Sequence, residues 1–409
     1  MIFFYQIGIR FYYFGILIAS LFNRKAALWL SGRKDVFKQL AVFNAPAVWF
    51  HCASLGEFEQ AKPLIEKLKA SGNKIVITFF SPSGYEIRKN YEGADLVCYL
   101  PLDTKSNAKQ FLDFIKPSQV FFVKYDFWYN FLNEVHERNI PVYLVSANFR
   151  EEQFKGFYGG YLKRVLNFFN KIFVQNESSQ TILSANGINN VILTGDLRFD
   201  RVSQTASNPK KISIVETFKG QAKVFVAGSS WEKDEQIVSS FSFQGSGYKL
   251  IITPHEINDF HIQKIISLFP DSLRYSEISK ESVSSALPKL QEAKVLIIDN
   301  IGMLSNLYQY ADIAYIGGGF GSGIHNILEA SAFGVPVIFG PNHHKFPEAN
   351  ELAEQGGAFI ISDDESFKKA VNFLLSDERI RMMASMVCKN FVQARKGAAE
   401  KILSETTGR

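Results

Sequence analysis

The sequence predicts an α/β protein built as two doubly wound, Rossmann-like domains. Three observations carry this. Short apolar runs alternate with amphipathic segments from Val48 onward, the pattern lapses once in a polar stretch at Ser203–Lys211, and it then restarts. Strands alternating with helices indicate a parallel sheet covered on both faces. At 409 residues the chain is also too long for one ordinary core.

In the first half the expected strands are Val48–Cys52, Ile75–Phe80, Val97–Leu100, Val120–Val123, Val142–Val145, Ile172–Val174 and Val191–Leu193. Helical patterns such as Glu57–Ala70 and Phe127–Arg138 lie between them. In the second half they are Val224–Ala227, Leu250–Ile252, Val295–Ile298, Ile313–Ile316, Val335–Phe339 and Phe359–Ile361. The expected division is 1–34 for an N-terminal segment, 35–205 and 206–385 for the domains, and 386–409 for a C-terminal helix returning to the first domain. Ligands in such folds sit beyond the carboxyl ends of the strands, here expected in a cleft between the domains.

Composition narrows the function classes. The net charge of +5 is concentrated: residues 1–34 hold Arg10, Arg24, Lys25, Arg33 and Lys34 and no acid, and the remaining chain carries 40 basic and 40 acidic residues. No basic stripe remains for nucleic acid. Met1–Phe22 is almost wholly apolar, with Gln6 and Arg10 sharing one helical face. Its uninterrupted part, Phe11–Phe22, is shorter than the roughly 20 residues of a membrane span. The basic cluster follows the apolar run, whereas in a secretory signal it precedes it. The expectation is a helix lying in an anionic membrane surface, pinned by Arg24, Lys25, Arg33 and Lys34. A buried core helix and a true span are the alternatives. Cys52, Cys98 and Cys388 have neither metal spacing nor a disulfide framework, which suits a reducing compartment.

The stretch Tyr315–Pro341, YIGGGFGSGIHNILEASAFGVPVIFGP, reads as strand, bare backbone, helix start and strand. Gly317, Gly318, Gly319 and Gly323 let a ligand approach the chain, and a helix opening at His325-Asn326 turns free N–H groups toward an anion. Glu329 either closes a capping box or binds ribose hydroxyls. The first βα turn of the chain, His51-Cys52-Ala53-Ser54-Leu55-Gly56-Glu57, places Glu57 beyond a strand end as a general base or, equally, as the acid of a Ser54–Glu57 capping box. The corresponding turn of the second domain, Gly228-Ser229-Ser230-Trp231, offers donors to a phosphate or caps a helix. His255, Lys124, Asp126 and Trp128 follow strands at the same end, and Lys345 follows Gly340-Pro341-Asn342. His343-His344 lacks carboxylate partners, and no metal cluster, P-loop or G-x-S-x-G elbow is present.

Several of these motifs together resemble the Kdo (3-deoxy-D-manno-octulosonic acid) transferases, a GT-B glycosyltransferase family. Ala53–Glu57 is similar to the family's A-S-x-G-E, Ala227–Ser230 reads AGSS, Gly195–Asp200 reads GDLRFD, and Gly317–Pro341 is similar to G-G…G-G-H-N-x-L-E-P…G-x-P-V…G-P. The resemblance implies a GT-B fold and metal-independent transfer of Kdo from CMP-Kdo to a lipid A precursor at the cytoplasmic face of the inner membrane. Glu57 would be the base. His325, Asn326 and Glu329 would bind CMP, with Ser229, Ser230, His255 and the four glycines around it. Ser54, Gly56, Lys124, Asp126, Trp128 and Lys345 would line the cleft, and Phe58 and Lys62 would touch the acceptor. CMP-Kdo would be a substrate, with no cofactor.

The sequence departs from the family at Lys124-Tyr125-Asp126-Phe127-Trp128, where a base replaces an acid of E-T-E-L-W, and at Pro254-His255, where an arginine neighbour is lost. These mark a divergent branch. They also leave open a UDP-sugar transferase acting on a lipid-linked acceptor, or a catalytically dead nucleotide-sugar-binding protein.

Overall fold

A computed structural model describes residues 2–43, 45–243, 246–281 and 283–407. The chain forms two compact units, one running to Arg201 and completed by the C-terminal stretch from Lys396, the other Val202–Arg395.

The first unit holds seven strands: β1 Val48–Cys52, β2 Ile75–Phe79, β3 Leu96–Tyr99, β4 Gln119–Val123, β5 Val142–Ala147, β6 Lys171–Val174 and β7 Val191–Leu193. They form one parallel sheet in the order β3-β2-β1-β4-β5-β6-β7. All five residues of β1 and of β2 are buried, as both-face coverage requires. Odd and even positions feed separate cores: Trp49, Phe122 and Leu144 pack with Phe111 and Phe131 on one face, while Phe50, Phe121 and Val145 pack with Phe58 and Leu64 on the other.

The second unit repeats the plan with β8 Lys223–Ser230, β9 Tyr248–Pro254, β10 Ser272–Arg274, β11 Val295–Ile297, β12 Ile313–Ile316, β13 Val337–Phe339 and β14 Ala358–Ile360. Their order is β10-β11-β9-β8-β12-β13-β14, again parallel. Each sheet therefore reverses its winding once, at β1/β4 and at β8/β12. Crevices outside such reversal points are where doubly wound sheets place ligands.

Edge strand β10 is absent from the sequence expectation, because Ser272-Leu273-Arg274 offers no apolar run. The expected linker at Ser203–Lys211 is partly helical: the helix Leu197–Ser207 carries the chain between units. The C-terminal pattern from Asp377 breaks into helices Glu378–Gln393 and Ala398–Thr406 around Gly397, whose φ of 113° suits glycine. Asp200 accepts the N–H groups of Gly397, Ala398 and Ala399 at 3.1–3.4 Å and thereby fastens the last helix to the first unit.

The N-terminal helix Ile2–Ala19 packs one face onto the first unit. Tyr5 donates to the buried Asp103 at 2.5 Å, Gln6 donates to Asn130 at 2.6 Å, and Ile9 is buried. Gln6 is thus turned inward, whereas Phe4, Phe11 and Phe14 on the remaining surface are 60–72% exposed. Among the described residues no single helix is long and apolar enough to cross a membrane; the pair Phe3–Ala19 and Arg24–Ala41, bent by 119°, passes by length and composition only. Arg33 does not join an exposed basic cluster. Its guanidinium lies 3.7 Å from the Trp29 ring centre and donates to the carbonyls of Leu100, Phe80 and Trp29, and burial pulls its pKa down to about 9. Arg10, Arg24, Lys25 and Lys34 remain exposed.

Candidate active site

In the first unit the chain leaves β1 and caps the helix Leu55–Ala70 at Ser54. Apolar residues at i, i+3 and i+4 spacing (Phe58, Ala61, Leu64, Ile65, Leu68) bury one side of this helix, which fixes Glu57 at the strand end. Glu57 Oε2 accepts the N–H groups of Ala53 at 2.5 Å and Ser54 at 3.2 Å. Among the described residues no donor reaches Oε1. Burial raises the pKa of Glu57, and the charge of Asp126 adds to the rise; His51 and the two N–H groups oppose it. Capping and proton-taking are therefore compatible in one side chain, each using its own oxygen.

Asp126 and Trp128 come from the turn after β4, which the chain enters through Lys124 in the left-handed region at φ 63°. Asp126 Oδ2 lies 2.8 Å from His51 Nε2 and accepts the indole N–H of Trp128 at 2.9 Å. His51 Nδ1 is 2.8 Å from the Thr78 hydroxyl, which also accepts the indole N–H of Trp49. The chain Thr78–His51–Asp126 is anchored in the sheet and ends next to Glu57. Sequence reasoning missed His51 and Thr78, since both sit at interior strand positions where a lone polar residue carries no motif. Burial lowers the pKa of Lys124, while Glu57 pulls it upward. Gly56 is exposed, with open space where a Cβ would stand. Phe58 is fully buried and unavailable to an acceptor, and Lys62 pairs with Glu66 at 3.4 Å.

In the second unit the turns after β8, β9 and β12 meet. Gly317 lies against the turn after β8: a Cβ there would stand 2.2 Å from the Ser229 carbonyl oxygen. At Gly319 it would stand 2.5 Å from the Gly340 nitrogen. These glycines are thus required by backbone approach within the unit. Their amides are not an open cradle: Gly317 N–H donates to Gly228 O at 2.9 Å and Gly318 N–H to Asp234 Oδ2 at 2.8 Å. Ser229 is left-handed at φ 52° and Ser230 is buried, its hydroxyl donating to Glu235 at 2.9 Å. Gly323, at φ 139°, closes the loop by donating to the Gly318 carbonyl.

Three rings stack at this end of the sheet. Trp231 lies 4.6 Å from His255, and His255 lies 4.4 Å from His325. The Trp231 indole donates to His325 Nε2 at 3.1 Å, which requires an unprotonated nitrogen there. Burial, with His255 adding to it, pulls the pKa of His325 down to about 4. Sequence reasoning singled out both histidines and left out Trp231, whose spacing alone marks nothing. The helix expected from His325-Asn326 begins later, as Leu328–Ala332; Asn326 caps it by accepting from Leu328 N–H at 3.1 Å and donates to Glu329 at 3.3 Å. Lys345 is exposed on the loop after β13. Among the described residues no group of three or more His, Cys, Asp or Glu could hold a metal ion.

A family model described as 3-deoxy-D-manno-octulosonic-acid transferase (kdotransferase) matches residues 29–201, and one for group 1 glycosyl transferases matches residues 279–390. Together these two matches cover most of the chain, which is thus similar to a Kdo transferase N-terminal domain followed by a group 1 glycosyltransferase domain. A 3-deoxy-D-manno-octulosonic acid transferase of Aquifex aeolicus is 28% identical over 81% of this chain and 86% of its own. A bifunctional glycosyltransferase/methyltransferase of Fusobacterium nucleatum is 27% identical over 81% of this chain, which spans 54% of that protein's length. Among solved structures, a UDP-GlcNAc 2-epimerase from Neisseria meningitidis superposes with a TM-score of 0.63 at 15% identity, covering 89% of this chain and all of that one. That likeness shows the fold, two Rossmann-like units of the GT-B class, and nothing of the substrate. Glu57 closes the stretch Ala53–Glu57, and His325 of the ring stack lies in the stretch Gly323–Glu329.

Proposed function

We propose that this chain transfers Kdo from CMP-Kdo to a hydroxyl of a lipid A precursor at the cytoplasmic face of the inner membrane, with Glu57 as general base. One observation carries the reading: a carboxylate of raised pKa, with one oxygen held by two N–H groups and the other unengaged, at the winding reversal of a Kdo transferase domain.

In this reading the acceptor oxygen attacks the anomeric carbon of Kdo while Glu57 Oε1 takes its proton. The bond from that carbon to the phosphate oxygen breaks, and CMP leaves with the electron pair as a phosphate monoester. The second unit binds the donor. Its Trp231–His255–His325 stack, with Trp231 and His255 exposed and His325 half-buried, suits a flat base, and the left-handed Ser229 turn presents backbone toward the phosphate. Neutral His325 is a hydrogen-bonding rather than an ionic partner. Thr78–His51–Asp126 fixes the acid that keeps the Glu57 pKa high. The exposed phenylalanines of the N-terminal helix, with Arg10, Arg24, Lys25 and Lys34, seat the protein on anionic lipid.

The test is incubation with CMP-Kdo and a lipid A precursor, with products weighed by mass spectrometry. The expected product is the acceptor plus one or more Kdo residues, formed undiminished in EDTA. Transfer from a UDP-sugar instead, or activity restored only by added Mg²⁺, contradicts the proposal.

A further inference from the structure

The first unit contains a cavity of about 340 Å³ between the N-terminal helix and the turn after β4, within the size range of small-ligand sites. Tyr5, Ile9, Tyr12, Phe80 and Trp128 line it together with Asp126. The polar ends of two lining aromatics are already engaged: the Tyr5 hydroxyl donates to Asp103 and the Trp128 indole to Asp126. Asp126 is itself engaged by His51. A sugar entering here would find only the Tyr12 hydroxyl and the already engaged Asp126 carboxylate for all its hydroxyls, a heavy loss for a polar ligand. A hydrocarbon chain loses far less against the aromatic and aliphatic walls.

Gly8 adds a second observation. Glycine weakens a mid-helix position, yet here it lines the cavity, and a Cβ built on it meets no atom within 4 Å. The small residue keeps the space open. The same helix turns Phe4 and Phe11, 69% and 72% exposed, to the outside, so the cavity wall is continuous with an apolar surface suited to lipid.

We propose that this cavity takes one acyl chain of the lipid acceptor and thereby holds the acceptor's sugar head group beside Asp126 and Glu57. The inference rests on the proposed function, in which Glu57 of the first unit takes the acceptor's proton. It names a specificity element: the cavity selects acceptors by their chain, independently of the donor.

The experiment compares wild type with Gly8→Leu, which fills the cavity from a helical position with free space. Gly15→Leu, in the same helix with equally open surroundings and outside the cavity, is the control. A bromine-labelled lysophosphatidylcholine is titrated against tryptophan emission, since bromine on a chain in the cavity quenches Trp128. Saturable quenching is expected in wild type and Gly15→Leu, with affinity reduced roughly tenfold in Gly8→Leu, the equivalent of about two methylenes excluded from an apolar site. In transfer assays Gly8→Leu is expected to raise KM roughly tenfold for the acylated acceptor, at unchanged kcat, and to leave a fully deacylated disaccharide unaffected. Equal quenching of all three proteins means adsorption to lipid at the surface only and overturns the proposal, as does an equal KM change for both acceptors. If none of the proteins transfers Kdo to either acceptor, the proposed function fails, and the quenching comparison still decides whether the cavity holds an acyl chain.

Discussion

The first βα turns of the two units begin alike and end differently. Each leaves the central strand of a reversing parallel sheet and opens a helix, and each carries acids in the first helical turn. In the first unit Glu57 keeps one oxygen unengaged at the strand end. In the second unit two of the three acids, Asp234 and Glu235, are buried and fully employed. Asp234 accepts from Tyr315 at 2.7 Å, Gly318 N–H at 2.8 Å and Trp231 N–H at 3.0 Å, while Glu235 holds Ser230 and His261. Number of partners, rather than motif, separates a reactive carboxylate from a clamp. In the proposed function the first turn changes its protonation state; the second fixes the glycine loop.

The largest expected effect breaks the first turn. Glu57→Gln should lower turnover by roughly 10²- to 10⁴-fold, the usual contribution of a positioned base. It should also unfold at a temperature equal to or above wild type. The sign follows from linkage: a carboxylate whose folded pKa is raised contributes stability below its unfolded pKa of about 4.3 and loses it as pH rises through the folded value, so removing the charge relieves the folded state at neutral pH. Reduced activity with a large fall in melting temperature would make Glu57 a structural cap.

Breaking the second turn should show the opposite signature. Asp234→Ala leaves two buried donors and one half-buried donor without a partner and should cost about 3 kcal/mol in urea unfolding. Protection by CMP against thermal unfolding should be lost with it.

The contrast also shows which features were legible beforehand. Apolar runs such as Val120–Val123 and Ile313–Ile316 sit in central strands, so their pattern names them without help from tertiary context. Ser272-Leu273-Arg274 is an edge strand that borrows its identity from β11, and no local signal exists for it. Glu57 and His325 were legible because each stands in a turn motif. His51 and Thr78 were not, since their partnership crosses between β1 and β2 and only strand pairing creates it. Gly317 and Gly319 were recognised as glycines that permit close approach; the structure shows another strand end approaching their backbone, which the sequence did not reveal. Arg33 reads as a lipid-facing charge until three aromatic rings are found around it.

A smaller effect sharpens the picture of the second unit. Trp231→Phe keeps the ring stack and removes one hydrogen bond to His325, worth about 1 kcal/mol. Protection by CMP should weaken roughly fivefold. No change would place the base away from this stack.

The most direct measurement of the central claim is the pH dependence of kcat/KM for wild type and Asp126→Asn, because that ratio reports the free enzyme's essential base. Glu57 acts only when ionised, and its raised pKa should place the acid limb above the ordinary glutamate value of about 4.3. Asp126→Asn removes the repelling charge, so the limb should move to lower pH. A limb already at the ordinary value in wild type, or one unmoved by Asp126→Asn, would contradict the assignment of Glu57 as the base.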